Sequence, residues 1–550
     1  VEIKDFIPYI TSLPNYQGQI VHVERLAAHK ARHGKLDRPL PLPLEKVLRQ
    51  RGVSPLYAHQ AEAINAARQG YHVMVSTSTA SGKTICYNVP VLEAILDDPQ
   101  SRALYLYPTK ALAQDQLRTL HELTANPGLK RIEVGTYDGD TPANTRSRLR
   151  KSAAILLSNP DMLHLGILPN HNLWATFFRH LRYVILDEAH VYRGIFGSHV
   201  ACLMRRLRRV CALYGAQPQF ILSSATIANP GELAARLVGA EAVVVEKDGA
   251  PQEARRFVFW NPPVVDRGMG QRRSINAEAT WIFGEMVKQG IRNITFTQAR
   301  KIAELILLYA REELSHERPD LLQQISAYRS GYLPEERREI ERKLFSGQLL
   351  GVTATNALEL GIDVGALDAT VLVGYPGSIA STWQQAGRAG RGKREALTIL
   401  IGQDDPLDQF FMRHPKELLG RPHEHALIDP GNPYVLTDHL TCAAREAPLD
   451  PTEGALFGAG YPDAVRALER ERVLARSNGR WYLAGDDYPA QRVNMRSTAG
   501  MPYTLVDETH GYRTLEKVDA ATAMMRVYPG AIYLHQAESY LITRLDLQRR

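Results

Sequence analysis

Tyr71-His-Val-Met-Val-Ser-Thr-Ser-Thr-Ala-Ser-Gly-Lys-Thr84 runs from an apolar stretch into small and hydroxyl residues and then a lysine. Residues 71–76 read as a strand without alternation, the pattern of a parallel sheet covered on both faces. The residues after the loop read as a helix. A strand, a tight loop and a helix start together form the setting of a phosphate loop, because N–H groups at a helix N-terminus point at anions. Gly82 lets the backbone approach closely, and Thr79, Ala80 and Ser81 supply the cradle. Lys83 would meet the β and γ phosphates of ATP, and Thr84 would offer its hydroxyl to Mg2+. Thr77 stands where the usual pattern has its first glycine, so an ordinary glycine turn before a helix is the alternative reading.

Outward from this loop, apolar runs alternate with helical patterns. Runs at 103–107, 155–158, 182–187 and 219–223 fill out a first α/β lobe over 51–247. The Pro, Gly and Arg content of 248–275 reads as a linker. Runs at 293–297, 325–328, 350–353, 370–374 and 396–402 make a second α/β lobe over 276–415. Residues 1–50 read as an N-terminal extension, with Arg38-Pro-Leu-Pro-Leu-Pro43 as extended linker. Short helices and a small hairpin are expected over 416–489, with 480–482 as one strand. Residues 490–550 read as a β-rich start of a C-terminal domain.

The 550 residues exceed one ordinary domain and suggest about three or four. With 44% hydrophobic and 23% charged residues, the balance is that of a soluble globular protein. No apolar run reaches the roughly 20 residues that span a bilayer, and the first residues lack the pattern of a signal peptide. The net charge of +7 is compatible with a polyanionic partner. Cys86, Cys202, Cys211 and Cys442 form no C-x-x-C pair and read as reduced, buried or incidental thiols of a reducing compartment. The cluster Arg205-Arg-Leu-Arg-Arg209 reads as a solvated helix face, or as a phosphate contact.

Two more constellations carry chemistry. Asp187-Glu-Ala-His190 ends an apolar strand, at the edge where open α/β sheets bind ligands. Asp187 would hold Mg2+ through water, and Glu188 would orient and deprotonate an attacking water; the alternative is an acidic turn. Gln384-Gln-Ala-Gly-Arg-Ala-Gly-Arg391 sets Arg388 and Arg391 three residues apart on one helical turn, suited to the charge of a γ-phosphate in its transition state. The alternative there is a basic surface turn. Gln384 opens the motif.

In this order the three constellations resemble superfamily 2 helicases, and the resemblance covers roughly 50–415. Leu56-Tyr-Ala-His-Gln60 resembles the upstream glutamine motif, which implies that Gln60 reads adenine. Tyr107-Pro-Thr-Lys-Ala-Leu112 and Ser158-Asn-Pro-Asp-Met-Leu163 resemble track-contacting motifs and imply contacts from Pro108, Thr109, Lys110, Asn159, Pro160 and Asp161. Ser223-Ser-Ala-Thr226 resembles the coupling motif, in which Ser224, Ala225 and Thr226 work with His190. Val352-Thr-Ala-Thr-Asn-Ala-Leu-Glu-Leu-Gly-Ile-Asp363 resembles the motif whose threonines, here Thr353 and Thr355, touch the track while Gly361 and Asp363 face the nucleotide. Each hydroxyl reads equally well as a helix cap. The resemblance implies two tandem RecA-like lobes, parallel sheets with helices on both faces, with ATP between them and a winged helix after them. Trp481 and Tyr482 of the hairpin would stack a base or fill its core.

A narrower resemblance rests on Thr79-Ala-Ser-Gly-Lys-Thr84, Ala327-Tyr-Arg-Ser-Gly-Tyr-Leu-Pro-Glu-Glu336, Asn432-Pro-Tyr-Val-Leu436 and Gly530-Ala-Ile-Tyr-Leu-His-Gln536. These are similar to the mitomycin repair factor A group and its fungal RecQ-four-like relatives. That group implies a 3′-to-5′ DNA helicase for crosslinked or alkylated DNA, working on single strands and 3′-tailed duplexes as a monomer, away from membranes. It also implies a C-terminal domain whose four cysteines bind zinc. Residues 1–550 hold no such cysteine cluster, and the expectation is a chain that stops before that region. An RNA helicase, a duplex translocase and a binding scaffold with an idle ATPase are the rival readings.

Overall fold

The computed structural model describes residues 2–266, 268, 270–329, 331–360, 365, 367–390, 395–496, 503–518, 520–536 and 538–550. The chain divides into two units, one of Ala31–Ala250 with His425–Ser497, the other of Val1–Lys30, Pro251–Glu424 and Thr498–Arg550.

The first unit is built on seven parallel strands in the order Val134–Thr136, Ile155–Ser158, Arg102–Leu106, Leu181–Leu186, Gln219–Ser224, Val73–Ser76 and Val243–Val245. Alternate residues of each strand feed two separate cores. Met74, Leu104 and Val184 point to one, Val73, Tyr105 and Ile185 to the other. That two-sided burial is why these strands read as unbroken apolar runs. The Pro-rich stretch expected to be extended linker instead starts the helix Leu42–Gln50. Its Leu44, Val47 and Leu48 enter the second of those cores, and proline suits a first helical turn.

The same unit carries the small domain expected after the lobes. Helices Pro433–Glu446, Gly454–Phe457 and Tyr461–Arg470 precede the hairpin of Leu474–Ser477 and Arg480–Leu483. Asn432 caps the first helix by accepting from the N–H groups of Tyr434 and Val435. Trp481 packs on the domain's own core and donates from Nε1 to Glu469, while Tyr482 is 40% exposed.

The basic cluster at 205–209 corrects both of its sequence readings. On the helix Gly194–Leu213, Arg205, Arg206 and Arg209 are all buried. Arg206 pairs with the buried Glu446 of the small domain and also donates to Nδ1 of His164 (2.8 Å) and of His439 (3.1 Å). Arg209 donates to Glu453 and to the carbonyls of Ala443, Ala447 and Pro448. Arg206 and Arg209 are a suture between the lobe and the small domain, while Arg205 and Arg208 donate to carbonyls of the lobe itself. Burial and the Arg206 charge push His164 down to about 3, so its ring is neutral and can accept from the guanidinium.

The second unit holds seven strands in the order Ile20–Leu26, Arg255–Trp260, Ala396–Ile401, Ala369–Val373, Asn293–Thr297, Gly351–Ala354 and Ile325–Tyr328. All pairs are parallel except the first, which is antiparallel at the edge. Two expectations change here. The extension at 1–50 supplies the edge strand and the helix Ile3–Ser12, whose Phe6 and Ile10 pack with Trp260. The expected linker at 248–275 contains the strand Arg255–Trp260, inserted between the edge strand and Ala396–Ile401. Its Phe257 and Phe259 are buried, and only the Pro-rich turn after it fits the linker pattern.

The C-terminal segment of this unit is β-rich as expected. Tyr503–Asp507 pairs with Arg513–Val518 and Ile532–His535 with Glu538–Leu541, with the helix Ala520–Arg526 between them. A buried arginine fastens it as well. Arg329 donates to Glu304 (2.8 Å), pairs with Glu516 and reaches the Leu534 carbonyl (3.1 Å) and His535 Nδ1 (3.0 Å). A Cβ on Gly331 would lie 2.3 Å from the Glu516 carboxylate, so glycine is required beside it. The Ala327–Glu336 and Gly530–Gln536 motifs, separate in sequence, thus meet in one network.

Among the described residues no helix is long and apolar enough to cross a membrane. The four cysteines are buried free thiols, and burial pushes Cys86 and Cys442 up to about 12.

Breaking the first suture should be costly. Arg206→Met strands the Glu446 charge in the core and is expected to destabilise the first unit by about 3–5 kcal/mol. Arg206→Met with Glu446→Leu should recover most of that loss, read as urea midpoints by circular dichroism.

Candidate active site

The phosphate loop joins the strand Val73–Ser76 to the helix Lys83–Asp97. Gly82 has φ 80° and Ala80 has φ 63°, the left-handed turns that swing the backbone N–H groups inward. Thr77 and Ser81 join hydroxyls at 2.8 Å across the loop. Lys83 Nζ donates to the carbonyls of Thr77 (3.1 Å) and Ser78 (2.6 Å). Burial pulls the Lys83 ammonium below its ordinary value, opposed by the charges of Glu188, Asp187 and Asp248. Thr84 follows on the first turn of the helix and Thr79 on the loop itself.

Gln60 lies against this loop. Its Nε2 donates to the Gly82 carbonyl at 3.0 Å, while Oε1 accepts from the Tyr57 N–H at 3.0 Å, capping the helix Ala58–Arg68. Two residues given no role in the sequence reading join it, one of them inside the glutamine motif. His59 is fully buried, with Nε2 3.1 Å from the Ser81 carbonyl and Nδ1 accepting from the Gly249 N–H at 3.1 Å. Asp248 accepts from both the N–H and the hydroxyl of Ser78. The glycine at 249 allows this closure, since a Cβ there would meet the Arg32 carbonyl at 2.7 Å and the Ala58 nitrogen at 2.8 Å.

Asp187 and Glu188 follow the strand Leu181–Leu186 at the carboxyl edge of the same sheet. Asp187 accepts from the Ser223 hydroxyl, from the Glu188 N–H (3.0 Å) and from the Tyr87 hydroxyl (3.3 Å). Burial, then the Glu188 charge, raises it to about 6. A buried carboxylate in that state suits a divalent cation, whose charge favours the ionised form. Its oxygens, like the Thr84 hydroxyl, are of the ligand type that Mg2+ prefers. Glu188 has φ 51°, a left-handed turn that aims it away from the strand line. His190 Nδ1 accepts from the Ala225 N–H at 3.2 Å, and burial holds the ring down at about 4. The Ser76 hydroxyl donates to the Ala225 carbonyl at 3.3 Å. The acidic motif, the coupling motif and the base of the phosphate loop are therefore joined by direct hydrogen bonds. Ser224 and Ala225 are buried, and Thr226 is half-buried.

The expected track contacts divide. Pro108–Lys110 and Asn159–Asp161 follow paired strands of the sheet. The Thr109 hydroxyl accepts from the Leu112 N–H at 3.3 Å and Asn159 from the Met162 N–H at 2.8 Å, so both side chains are helix caps. Lys110 pairs with Asp140 at 2.9 Å, and Pro160 opens the following helix. In the second unit Thr353 is fully buried and donates to the Ala303 carbonyl at 2.9 Å. That corrects its reading as a surface contact. Thr355 is buried at the start of the turn Asn356–Leu358.

Arg388 is buried and donates to the Glu359 carbonyl. Glu359 in turn accepts from Ser381 (2.6 Å) and Gln385 (2.8 Å), tying the two motifs of this lobe together, with Gln384 buried on the same helix. Gly361, Asp363 and Arg391 lie outside the described residues.

Known proteins match this arrangement segment by segment. The DEAD/DEAH box helicase family matches residues 57–233, the helicase conserved C-terminal domain 278–393, and the winged helix domain of ATP-dependent helicase HRQ1 428–498. The class is that of the superfamily 2 helicases, with two RecA-like lobes and a winged helix. The chain is 44% identical over 516 residues to the uncharacterized ATP-dependent helicase YprA of Bacillus subtilis, covering 92% of this chain and 68% of that protein. It is 40% identical over 560 residues to ATP-dependent helicase hrq1 of Schizosaccharomyces pombe, covering all of this chain and 52% of the relative. It thus spans about half the length of the fungal protein. The crystal structure of the DUF1998 helicase MrfA bound to DNA and AMPPNP matches with a TM-score of 0.92 at 41% identity, over 100% of this chain and 76% of that one. The chain belongs to the MrfA/Hrq1 family of ATP-dependent helicases.

Gly82 tests the loop. A Cβ there would lie 2.6 Å from Gln60 Nε2 on a left-handed backbone. Gly82→Ala is expected to displace Gln60 and weaken binding of a fluorescent ATP analogue by at least roughly tenfold. Equal affinity in an anisotropy titration would contradict this placement of Gln60.

Proposed function

We propose that this protein is an ATP-dependent DNA helicase that moves 3′ to 5′ along a single strand, opens duplexes from a 3′ tail and serves DNA damage repair in the bacterial cytoplasm. One observation carries the reading: Lys83, Asp187 and Glu188 lie beyond the carboxyl ends of strands of one sheet, where both carboxylates act on the Lys83 ammonium, while His190 bonds to Ala225 just after the strand Gln219–Ser224. Family membership and the DNA-bound MrfA structures support the substrate.

In this mechanism the N–H groups of 79–84 and Lys83 hold the ATP phosphates, and Gln60 selects adenine. Asp187 and Thr84 would hold Mg2+, which would offset the negative charge of the phosphates. Glu188 accepts a proton from the attacking water. Arg388 and Arg391, Gln384 and the Gly361–Asp363 segment of the other lobe complete the site. Hydrolysis then requires the lobes to come together.

Loss of the γ-phosphate changes what Glu188 and His190 face. The His190–Ala225 hydrogen bond passes that change to the end of the strand Gln219–Ser224. Pro108–Lys110, Asn159–Asp161 and Thr355 grip the strand by phosphate contacts, which are blind to sequence and sensitive to salt. If the grip differs between nucleotide states, each cycle is a step along the strand. The protein works as a monomer.

The test pairs ATP hydrolysis with strand separation. Single-stranded DNA should stimulate hydrolysis strongly, and Glu188→Gln should abolish stimulated turnover while leaving nucleotide binding. A 3′-tailed DNA duplex should open, and a 5′-tailed one should not. Stimulation by RNA alone would replace the substrate. A Glu188→Gln protein as active as the parent would overturn the site.

A further inference from the structure

Residues 488–496, beyond the hairpin of the small domain, run along the first lobe. The Tyr488 hydroxyl donates to the Leu165 carbonyl at 2.6 Å, and His164 Nε2 lies 3.0 Å from the Ala490 carbonyl. Met495 is buried in the lobe's own core. The next side chain, Arg496, reaches three groups at once. Its Nε donates to Asp161 Oδ2 at 2.7 Å and its Nη2 to the Pro108 carbonyl at 2.6 Å. Its guanidinium carbon lies 4.5 Å from the centre of the Phe196 ring, on the helix that follows the acidic motif.

Pro108 and Asp161 belong to the two loops read above as strand contacts. The loops leave neighbouring strands of the sheet. Successive phosphates of one strand demand a fixed spacing between them, and loop freedom lost on binding weakens affinity. A lone carboxylate at Asp161 would also repel a phosphate. Arg496 removes both defects, and only a planar fork can hold a carboxylate and a carbonyl while stacking on a ring.

We propose that Arg496 is a positioning residue for DNA binding. It clamps the Pro108–Lys110 and Asn159–Asp161 loops at the spacing a single strand requires and cancels the Asp161 charge. The end of the winged-helix segment is therefore part of the first lobe's grip. The proposal rests on the reading of those loops as DNA contacts.

The experiment titrates fluorescein-labelled oligo-dT into the whole protein and measures DNA-stimulated hydrolysis. Arg496→Ala should weaken binding roughly five- to tenfold, with the loss in KM for DNA rather than in kcat. Adding Asp161→Asn should recover much of that loss, because the uncancelled charge is gone; loss of a merely structural arginine would not be rescued this way. Arg496→Lys keeps the charge and stem but cannot hold both acceptors, and should also raise KM. It carries the test if Arg496→Ala does not fold. Variants that bind as the parent does, or a double variant as weak as Arg496→Ala, would overturn the clamp. A parent protein that binds no single strand would instead overturn the reading of the loops, and the clamp with it.

Discussion

Asp187 is a carboxylate held where an apolar strand ends, in a setting that disfavours its charge. Burial and the neighbouring Glu188 raise it to about 6, while Ser223, Tyr87 and the Glu188 N–H hold it in place. The strand from Leu181 to Leu186 and its neighbour from Gln219 pair in parallel, so they end side by side at strand spacing. Ser223, which bonds Asp187, is followed at once by Ser224 and Ala225, and Ala225 bonds His190. A shift at the acidic motif therefore has a path of one or two hydrogen bonds to the next strand and to Ser76 at the base of the phosphate loop. The chemistry and its coupling share one piece of sheet edge.

Two buried arginines extend each lobe. Arg206 joins the first lobe to the winged helix through Glu446, and Arg329 joins the second lobe to the C-terminal segment through Glu516. Each guanidinium meets a carboxylate and a histidine Nδ1, so each charge is both paired and hydrogen-bonded. Burying such pairs gives little net stability compared with apolar packing, but removing one partner is severe. Each pair joins an accessory segment to its own lobe through groups buried away from water.

Much of this could be read in the sequence because phosphate chemistry demands particular residue types in a set order. The loop at 77–84, the acidic motif and the apolar strands between them carried their own signals. The strand Arg255–Trp260 did not, because the prolines and glycines of the turn after it dominated the local composition. Arg206 did not either. A basic run on a helix looks alike whether it faces water or a carboxylate, and its partner Glu446 is remote in sequence. Thr353 looked like a surface hydroxyl, yet its strand is paired on both sides and the residue is fully buried. Asp248 and Arg496 act through single side chains that belong to no motif, His59 lies in the glutamine motif without a role read from it, and only the folded chain brings them to the loops they hold.

The most direct test is thermodynamic. If nucleotide and strand share the connected edge of the first lobe, their binding free energies must be coupled, and equally in both directions. Calorimetric titration of single-stranded DNA into the protein, with and without a non-hydrolysable ATP analogue, measures that coupling. Two DNA affinities that differ several-fold, with the nucleotide affinity shifted by the same factor when DNA is bound, is the predicted result. DNA affinity that does not change with nucleotide would contradict it.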